Sequence, residues 1–183
     1  MGGIVIWIVV GVVIAYVALL YNGLVALKHN VTKAWANIDV LLKQRGDELP
    51  KLVETCKQYM AHEKDTLERV IKARGAVQTA ASAGDVTAVG AAESELRGLL
   101  GRLFAVAEAY PNLKADESFR HLQARISQLE LELADRREFY NDVVTLFNTR
   151  IEQIPDSWVA QGMQLVRADV FREIGRASCR ERV

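Results

Sequence analysis

The feature that most constrains how this chain folds is an apolar run near its amino terminus, IVIWIVVGVVIAYVALL (residues 4–20), with no charged side chain before Lys28. As an α-helix its seventeen residues are about 26 Å long, which approaches the hydrocarbon core of a bilayer, about 30 Å thick. Trp7 lies toward one end of the run and Tyr21 follows the other, as in the aromatic belts at the two membrane surfaces. The run therefore predicts a transmembrane anchor over residues 1–22, with the lipid bilayer as its partner.

A cleaved signal peptide is the alternative interpretation of the same run. A signal peptide begins with a positively charged region, which residues 1–3 lack, and it ends at a small-residue cleavage site. Ala15 and Ala18 supply small residues, but large side chains follow them. The sequence therefore favours a retained, single-pass anchor. Lys28 and Lys33 follow the run and no lysine or arginine precedes it, so the positive-inside tendency predicts a short amino terminus outside and the remaining chain in the cytoplasm.

The composition excludes several classes of function. Lysine and arginine number 23 and aspartate and glutamate also number 23, so no net charge attracts the chain to nucleic acid. The two cysteines, Cys56 and Cys179, have neither the number nor the spacing of a disulfide framework or a zinc site, and Cys56 is predicted to be a core residue. With only three prolines and few aromatic residues, the chain is predicted to be mostly helical.

Apolar residues recur at helical spacing in four long segments after the apolar run. The first segment carries a seam with alternating steps of three and four residues, formed by Leu24, Leu27, Val31, Ala34, Ile38 and Leu41. The second, third and fourth segments are predicted at residues 50–83, 85–110 and 118–154. Gly84 and Asp85 predict a helix stop followed by an N-cap, and Trp35 and Phe147 are predicted to anchor the core. The chain is therefore predicted to be all-α, with a single transmembrane helix followed by an antiparallel bundle of about four long helices over residues 23–172.

The segment between Gly46 and Pro50 carries conflicting signals. Gly46 suits the end of a helix, Asp47 suits an N-cap and Pro50 is tolerated in a first turn, which together predict a break. The apolar seam nevertheless continues in phase through Leu49 and Leu52. A glycine four residues before a proline also relieves the clash between the proline ring and the preceding turn. The sequence leaves a kinked helix and a tight corner as alternatives.

Residues 35–63, WANIDVLLKQRGDELPKLVETCKQYMAHE, closely resemble the signature stretch of the LemA family. Residues 66–74 and 110–155 are similar to the continuation of that family's sequence, and the resemblance covers residues 21–171. It implies a bacterial cell-membrane protein with one amino-terminal span, a short external end and a helical-bundle domain, and it implies no reaction. The last residues, 173–183, depart from the family pattern and are predicted to be a non-native or disordered tail.

Few residues suggest catalysis or metal binding. His62 and Glu63 place a histidine beside a carboxylate, but adjacent helical residues point about 100° apart, and no nucleophile stands at a relay spacing. Glu117 and His121 are four residues apart, but a di-metal bundle needs Glu-x-x-His motifs on two helices, and the sequence contains none. No glycine-rich phosphate loop is present. The sequence therefore predicts no catalytic residue, no metal ligand and no cofactor.

Charged residues on the helical seams are better candidates for a polar site. Arg45, Glu63, Arg74 and Arg136 are predicted at or beside core-facing positions. An isolated charge there is costly, so these side chains should pair across helices. They either fix the register of the helices or line a polar groove that receives a partner.

Small residues within the apolar run predict self-association. Gly11 and Ala15 form a small-xxx-small pair, which allows helix backbones to approach closely in lipid. A homo-oligomer held through the transmembrane helix is therefore predicted.

The function predicted from these features is a membrane-anchored scaffold or interaction protein that is not an enzyme. Its partner would be an unidentified membrane or cytoplasmic protein and not a nucleic acid. The alternative is a membrane-tethered enzyme or accessory subunit that uses a polar groove around His62 and Glu63.

Overall fold

The computed structural model describes residues 2–171 of the 183-residue chain, and within these residues it consists of helices and connecting segments without a strand. The helices are α1 (Gly2–Tyr59), α2 (Lys64–Ala83), α3 (Val86–Ala107), α4 (Pro111–Ala115), α5 (Glu117–Glu152) and α6 (Asp156–Gly162). The all-α prediction is confirmed. Within the described residues, α1 is the one helix long and apolar enough to cross a membrane. The predicted tail, residues 173–183, lies outside the described residues.

The described residues divide into two compact units, and α1 and α5 each contribute to both. The span unit holds residues 2–35 and 139–170. The bundle unit holds residues 36–138 together with Phe171. Each unit has its own buried side chains and its own polar contacts, so the two are described separately.

In the span unit, the apolar run forms the exposed first part of α1. Residues 4–19 are all exposed, and the first buried side chain of the helix is Leu24. Such exposure is unfavourable in water, since burial of a large aliphatic side chain stabilises a protein by about 1.5–3 kcal/mol. Leu24 packs with Phe147 and Ile151 of α5 and with Ala160 of α6. The core of the span unit therefore begins one helical turn beyond the apolar run.

The two predicted core anchors differ in burial. Phe147 is buried in the core of the span unit. Trp35 is half-buried, and its ring centre lies 5.8 Å from that of Tyr140. This tilted ring pair stabilises the contact between α1 and α5 within the unit.

The irregular segment after α6, residues 163–170, is held on α5 by side-chain hydrogen bonds. Asn148 Nδ2 donates to the carbonyl of Ala168, and Asn148 Oδ1 accepts from the amide of Ala168, both at 2.9 Å. The Tyr140 hydroxyl donates to the carbonyl of Asp169 at 3.1 Å. A segment outside helices and sheets lacks regular backbone partners, so these side chains supply hydrogen bonds that its peptide groups need.

In the bundle unit, the sequence signals for the turn between α2 and α3 are confirmed. Gly84 follows α2 with a φ of 70°, the left-handed conformation that glycine adopts without steric cost. Asp85 caps α3, because its side chain accepts a hydrogen bond from the amide of Ala88 at 2.9 Å. So short a connection makes α2 and α3 antiparallel neighbours. Cys56 is fully buried, as the sequence predicts.

The corner considered between Gly46 and Pro50 is absent, because α1 continues unbroken to Tyr59. Pro50 has no N–H, so the carbonyl of Gly46, four residues earlier, has no donor within the helix. Arg74 of α2 supplies the donor through its Nε atom. A side chain from the neighbouring helix thus replaces the backbone hydrogen bond that the proline removes.

The chain turns instead at residues 60–63, inside the segment predicted as one helix over residues 50–83, so that prediction is wrong at its start. Met60 is fully buried at this turn, and the amide of Glu63 donates to the Met60 carbonyl at 3.0 Å. The four residues, MAHE, include neither glycine nor proline. At this corner the chain buries Met60 and contains no residue that is typical of turns.

The later helix bounds differ from the prediction by a few residues. α5 spans Glu117–Glu152 and was predicted at residues 118–154, and α3 ends at Ala107, three residues before its predicted end. The short helix α4 was not predicted, and Pro111 occupies its first turn.

Asp116 caps α5 and also ties it to the end of α1. Its Oδ1 accepts from the amide of Phe119 at 2.8 Å, and its Oδ2 accepts from the hydroxyl of Tyr59 at 3.0 Å. These two hydrogen bonds hold the pKa of the Asp116 carboxyl below its ordinary value. The carboxylate therefore fixes the start of one long helix against the end of the other.

Candidate functional site

A cluster of five charged side chains lies within the bundle unit. Arg45 of α1 donates to Glu93 of α3 and to Glu130 of α5. Glu93 also accepts from Arg137 of α5, and Glu130 accepts from Arg97 Nε at 3.2 Å. Arg45 and Glu93 are each 1% exposed and Arg137 is 5% exposed. The three central side chains are therefore removed from water and paired with one another.

The electrostatics of this ion cluster favour a structural role. Three arginines and two glutamates leave one net positive charge, and the Arg137 guanidinium lies 4.8 Å from the centre of the Phe171 ring, whose face attracts a cation. Burial lowers the pKa of the Arg45 guanidinium, and the charge of Glu130 opposes that effect. Arginine keeps its proton in proteins, so the three guanidinium groups are permanent positive charges. Paired permanent charges on α1, α3 and α5 suit the fixing of helix register.

A groove of about 280 Å³ lies beside the ion cluster, between α1 and α2. Arg45 and Arg74 both line it, so the structure brings together two of the four seam charges identified in the sequence. Both already have partners within the protein. Arg45 is bonded to two glutamates, and Arg74 is bonded to the carbonyl of Gly46. The two terminal nitrogens of Arg45 and the Nε of Arg74 have protein acceptors, whereas the buried Nε of Arg45 has none.

The other two seam charges do not join the cluster. Glu63 is half-buried just before α2, and it accepts a hydrogen bond from Thr66 Oγ1 at 3.4 Å. Arg136 is exposed, and the buried arginine is the next residue, Arg137. The place beside the core that the sequence analysis predicts for Arg136 is therefore occupied by Arg137.

The sequence analysis missed Glu93 and Arg137, although the helical phase is compatible with the burial of both. Arg137 lies four residues after the buried Leu133 and Arg136 lies three residues after it, so the helical period alone does not choose between the two arginines. Glu93 likewise lies four residues after the buried Val89. Side chains three or four residues apart share a helical face, so the period is compatible with burial of both charges but does not require it.

The residues considered for catalysis do not converge. His62 is exposed, and neither His62 nor Glu63 lines any of three of the best-formed pockets of the described residues. His121 and Glu117 lie on an open depression formed by α5 alone. Among residues 2–171, no group of three or more histidine, cysteine, aspartate or glutamate side chains is placed to hold a metal ion. The geometry assembles no catalytic constellation around these histidines.

A second groove, here called the corner groove, lies where α1 turns into α2 and has a volume of about 560 Å³. It is lined by Val53, Lys57, Met60, Ala61, Lys64, Leu67, Glu68, Ile71 and Lys72. Val53, Met60 and Leu67 are buried and form an apolar floor, and Ile71 remains 38% exposed. The lining includes three exposed lysines and one glutamate, which give it a positive charge. Apolar floor and basic rim together suit a macromolecular partner.

A sequence model of the LemA family matches residues 34–183, which is more than half of the chain. The chain belongs to the LemA family. The LemA match includes the residues of the ion cluster and the corner groove, and it begins beyond the apolar run. It also extends over residues 173–183, which the sequence analysis set apart as a tail.

Relatives of this LemA chain include proteins with two kinds of name. Magnetosome protein MamQ 2 of Paramagnetospirillum magneticum is 25% identical over 187 residues, which cover 88% of this chain and 69% of the relative. Magnetosome protein MamQ of Magnetospirillum gryphiswaldense is 22% identical, with 84% and 65% covered. Protein LemA of Metamycoplasma hominis is 26% identical over 151 residues, with 82% and 68% covered. None of these names states a reaction.

Gly11 and Ala15, the small residues of the apolar run, are exposed on α1. A Cβ atom added at Gly11 would meet nothing within 4 Å outside its own helix turn. This part of α1 therefore has room for another helix to approach.

Proposed function

We propose that this LemA-family protein is a membrane-anchored interaction module. The observation that carries the proposal is α1, a single helix whose residues 4–19 are apolar and exposed and whose later residues build protein cores. A bilayer makes that exposure favourable, and a helix satisfies all its backbone groups inside lipid.

The proposed orientation places the short amino terminus outside a bacterial cell membrane and the rest of the chain in the cytoplasm. Lys28 and Lys33 are exposed and follow the apolar run, and no lysine or arginine precedes it. Positively charged residues close to a span tend to remain in the cytoplasm. A retained span, and not a cleaved signal peptide, is part of this proposal.

The corner groove is the proposed docking surface of the module. An amphipathic helix buries its apolar face in a hydrophobic groove, and acidic side chains on its other face would meet the lysines of the rim. Lys64 and Lys72 belong to that rim, while Lys57 already lies 3.3 Å from Glu54. The expected partner is therefore an acidic amphipathic helix of a membrane or cytoplasmic protein.

Site-specific photocrosslinking in living cells tests the docking surface. A photoreactive phenylalanine analogue replaces Ile71, which lines the corner groove, or Arg69, which is exposed on the same helix about 200° away. We expect a discrete adduct from position 71 and none from position 69. Mass spectrometry should locate the adduct in an acidic, amphipathic segment, and Lys64→Glu with Lys72→Glu should abolish it.

Three results would contradict this function. Equal adducts from both positions, or an adduct that survives the two charge reversals, would mean that the groove does not select a partner. Loss of the cellular phenotype in a folded His62→Ala protein, with the adduct from position 71 intact, would favour the membrane-tethered enzyme.

A homo-oligomer through the span is proposed alongside this function. Gly11→Ile should reduce the cross-linked dimer in membranes, because a branched side chain keeps the helices apart. Val12→Ile, which alters the adjacent face, is the matched control. A dimer that survives Gly11→Ile would exclude this contact.

A further inference from the structure

Large apolar side chains are exposed along one stretch of the span unit. The stretch comprises the turn after α5, helix α6 and the segment after α6. Ile154 is 73% exposed, Trp158 is 68% exposed and Val166 is 81% exposed. A single exposed apolar residue is ordinary on a protein surface. Here three such residues, one of them a tryptophan, lie within one short stretch. Contact with an apolar environment outside the chain would remove their side chains from water.

The same stretch is packed against the end of the apolar run. Ile151 and Ala160, on either side of Ile154 and Trp158 in sequence, share a buried cluster with Leu24 of α1. Leu24 lies four residues beyond Leu20, which is about 6 Å along the helix. The headgroup region on each side of a bilayer is about 5–8 Å thick, from the difference between total and hydrocarbon thickness. A span over residues 4–20 therefore brings this stretch to the level of the headgroups.

Two carboxylates near the exposed apolar residues, those of Asp156 and Glu152, lie beside arginines. Arg150 Nε lies 3.1 Å from Asp156 Oδ2, and Arg167 Nη1 lies 2.9 Å from Glu152 Oε1. Two nearby carboxylates are thereby compensated by arginines, which reduces repulsion from anionic lipid headgroups. The apolar side chains are the groups in this stretch that gain most from leaving water.

We propose that Ile154, Trp158 and Val166 form a second membrane contact, seated in the interface of the leaflet from which α1 emerges. The contact rests on the proposed anchoring of α1. Tryptophan favours this depth because its ring is apolar and its N–H remains near polar headgroups. Helix α6 has seven residues, too few to span a bilayer, so with Trp158 on its exposed side it would lie along the interface. The protein then contacts the bilayer at two places, through the span and through α6.

Fluorescence quenching by brominated lipids tests the second contact in the full chain, reconstituted into phosphatidylcholine vesicles. Three variants each keep one tryptophan, with the others changed to phenylalanine: Trp158 alone, Trp7 alone, and Leu131→Trp alone. Leu131 is 70% exposed in the bundle unit, so it matches the exposure of Trp158 away from α6. Circular dichroism checks that each variant retains the parent's helix content.

We expect bromines near the headgroup end of the acyl chains to quench Trp158 much more strongly than Leu131→Trp. Trp7 should be quenched as well, because it belongs to the span. Quenching of Trp7 with none of Trp158 would overturn the second contact and leave the anchoring intact. Absence of quenching at Trp7 would overturn both proposals. Protection of Trp158 from brominated lipid and also from aqueous iodide would assign it to a protein contact and overturn the lipid contact.

A second measurement leaves Trp35 unchanged, in case its replacement disturbs the contact with Tyr140. Trp158→Cys in a Cys179→Ser chain carries a polarity-sensitive dye, and Leu131→Cys is the matched control. Addition of vesicle lipid to the detergent-solubilised protein should shift the emission of the dye at position 158 to shorter wavelength and leave that at position 131 unchanged. Equal shifts at both positions would contradict the second contact.

Discussion

Among residues 2–171, the span unit leaves large apolar side chains exposed and buries one charged side chain, Asp156, whereas the bundle unit buries three, Arg45, Glu93 and Arg137. In the span unit, Asn148 and Tyr140 bind residues 163–170. In the bundle unit, Arg45 and Glu93 are almost fully buried and bonded to each other. The same two long helices, α1 and α5, contribute to both arrangements.

The difference teaches that each unit's surface is matched to its surroundings. Exposed apolar groups are stable where lipid is the solvent, so the span unit need not bury them. A unit in water must bury its apolar faces, and apolar packing alone leaves several helix registers close in energy. Buried charge pairs add little net stability, but a wrong register leaves a charge unpaired at high cost. We therefore expect the ion cluster to specify how α1, α3 and α5 align.

Removal of Glu93 is the strongest test of this comparison. Glu93→Ala leaves Arg45 and Arg137 without their shared carboxylate, and breaking a buried pair costs about 3–5 kcal/mol. Chemical unfolding of the full chain in detergent should show that loss of stability. Glu95→Ala, an exposed change on the same helix, should cost less than about 0.5 kcal/mol. Similar small losses for both variants would mean that the cluster does not organise the bundle unit.

Asn148→Ala is the corresponding test in the span unit, with a smaller expected effect. The change removes two hydrogen bonds to Ala168, and a buried polar group left without a partner costs about 1–3 kcal/mol. Limited proteolysis should also cut within residues 163–170 sooner than in the parent. Thr149→Ala, exposed on the same helix, is the control. Unchanged cleavage in Asn148→Ala would show that the asparagine does not hold the segment.

A double-mutant cycle tests how α1 passes through Pro50. Arg74→Ala removes the donor to the Gly46 carbonyl and should cost about 1–2 kcal/mol. Pro50→Ala restores a backbone N–H that reaches the same carbonyl, so Arg74→Ala should cost clearly less in that background. Equal costs in both backgrounds would mean that Arg74 acts through other contacts.

The smallest expected effect is a dependence of stability on acidic pH at Asp116. Hydrogen bonds from the Phe119 amide and then from the Tyr59 hydroxyl lower the pKa of Asp116 from its ordinary value of 3.8. The resulting stability is present above that value and is lost as the pH falls through the lower pKa of the folded state. Melting of Asp116→Asn should therefore depend less on pH in this acidic range than melting of the parent. Asp135→Asn, an exposed change, should retain the parent's dependence.

The sequence predicts most of the helical architecture because the signals involved are local. The apolar run precedes the first charge, the seam keeps its period, and Gly84 with Asp85 forms a stop and a cap that need no tertiary information. Cys56 is buried because it falls on the seam. These features depend on residues within a turn or two of one another.

What the sequence leaves open or misses has a tertiary origin. At Pro50 the sequence leaves two alternatives open, and the helix continues there with a hydrogen bond from Arg74, distant in sequence, to the Gly46 carbonyl. The chain turns at residues 60–63 without a glycine or a proline. For the ion cluster, the sequence indicates which helical faces are buried. The pairing of Arg45 with Glu93 depends instead on which helices become neighbours.

Cysteine labelling of spheroplasts tests the proposed membrane anchoring most directly. Gly3→Cys and Ser82→Cys are made separately in a Cys179→Ser chain and treated with a membrane-impermeant maleimide. Ser82 is exposed, whereas Cys56 is fully buried and burial raises the pKa of its thiol to about 11, so Cys56 contributes little labelling to the folded protein. The account predicts labelling of Gly3→Cys in intact spheroplasts and of Ser82→Cys only after permeabilisation. Labelling of Ser82→Cys in intact spheroplasts would contradict it, by placing the bundle unit outside the cell membrane.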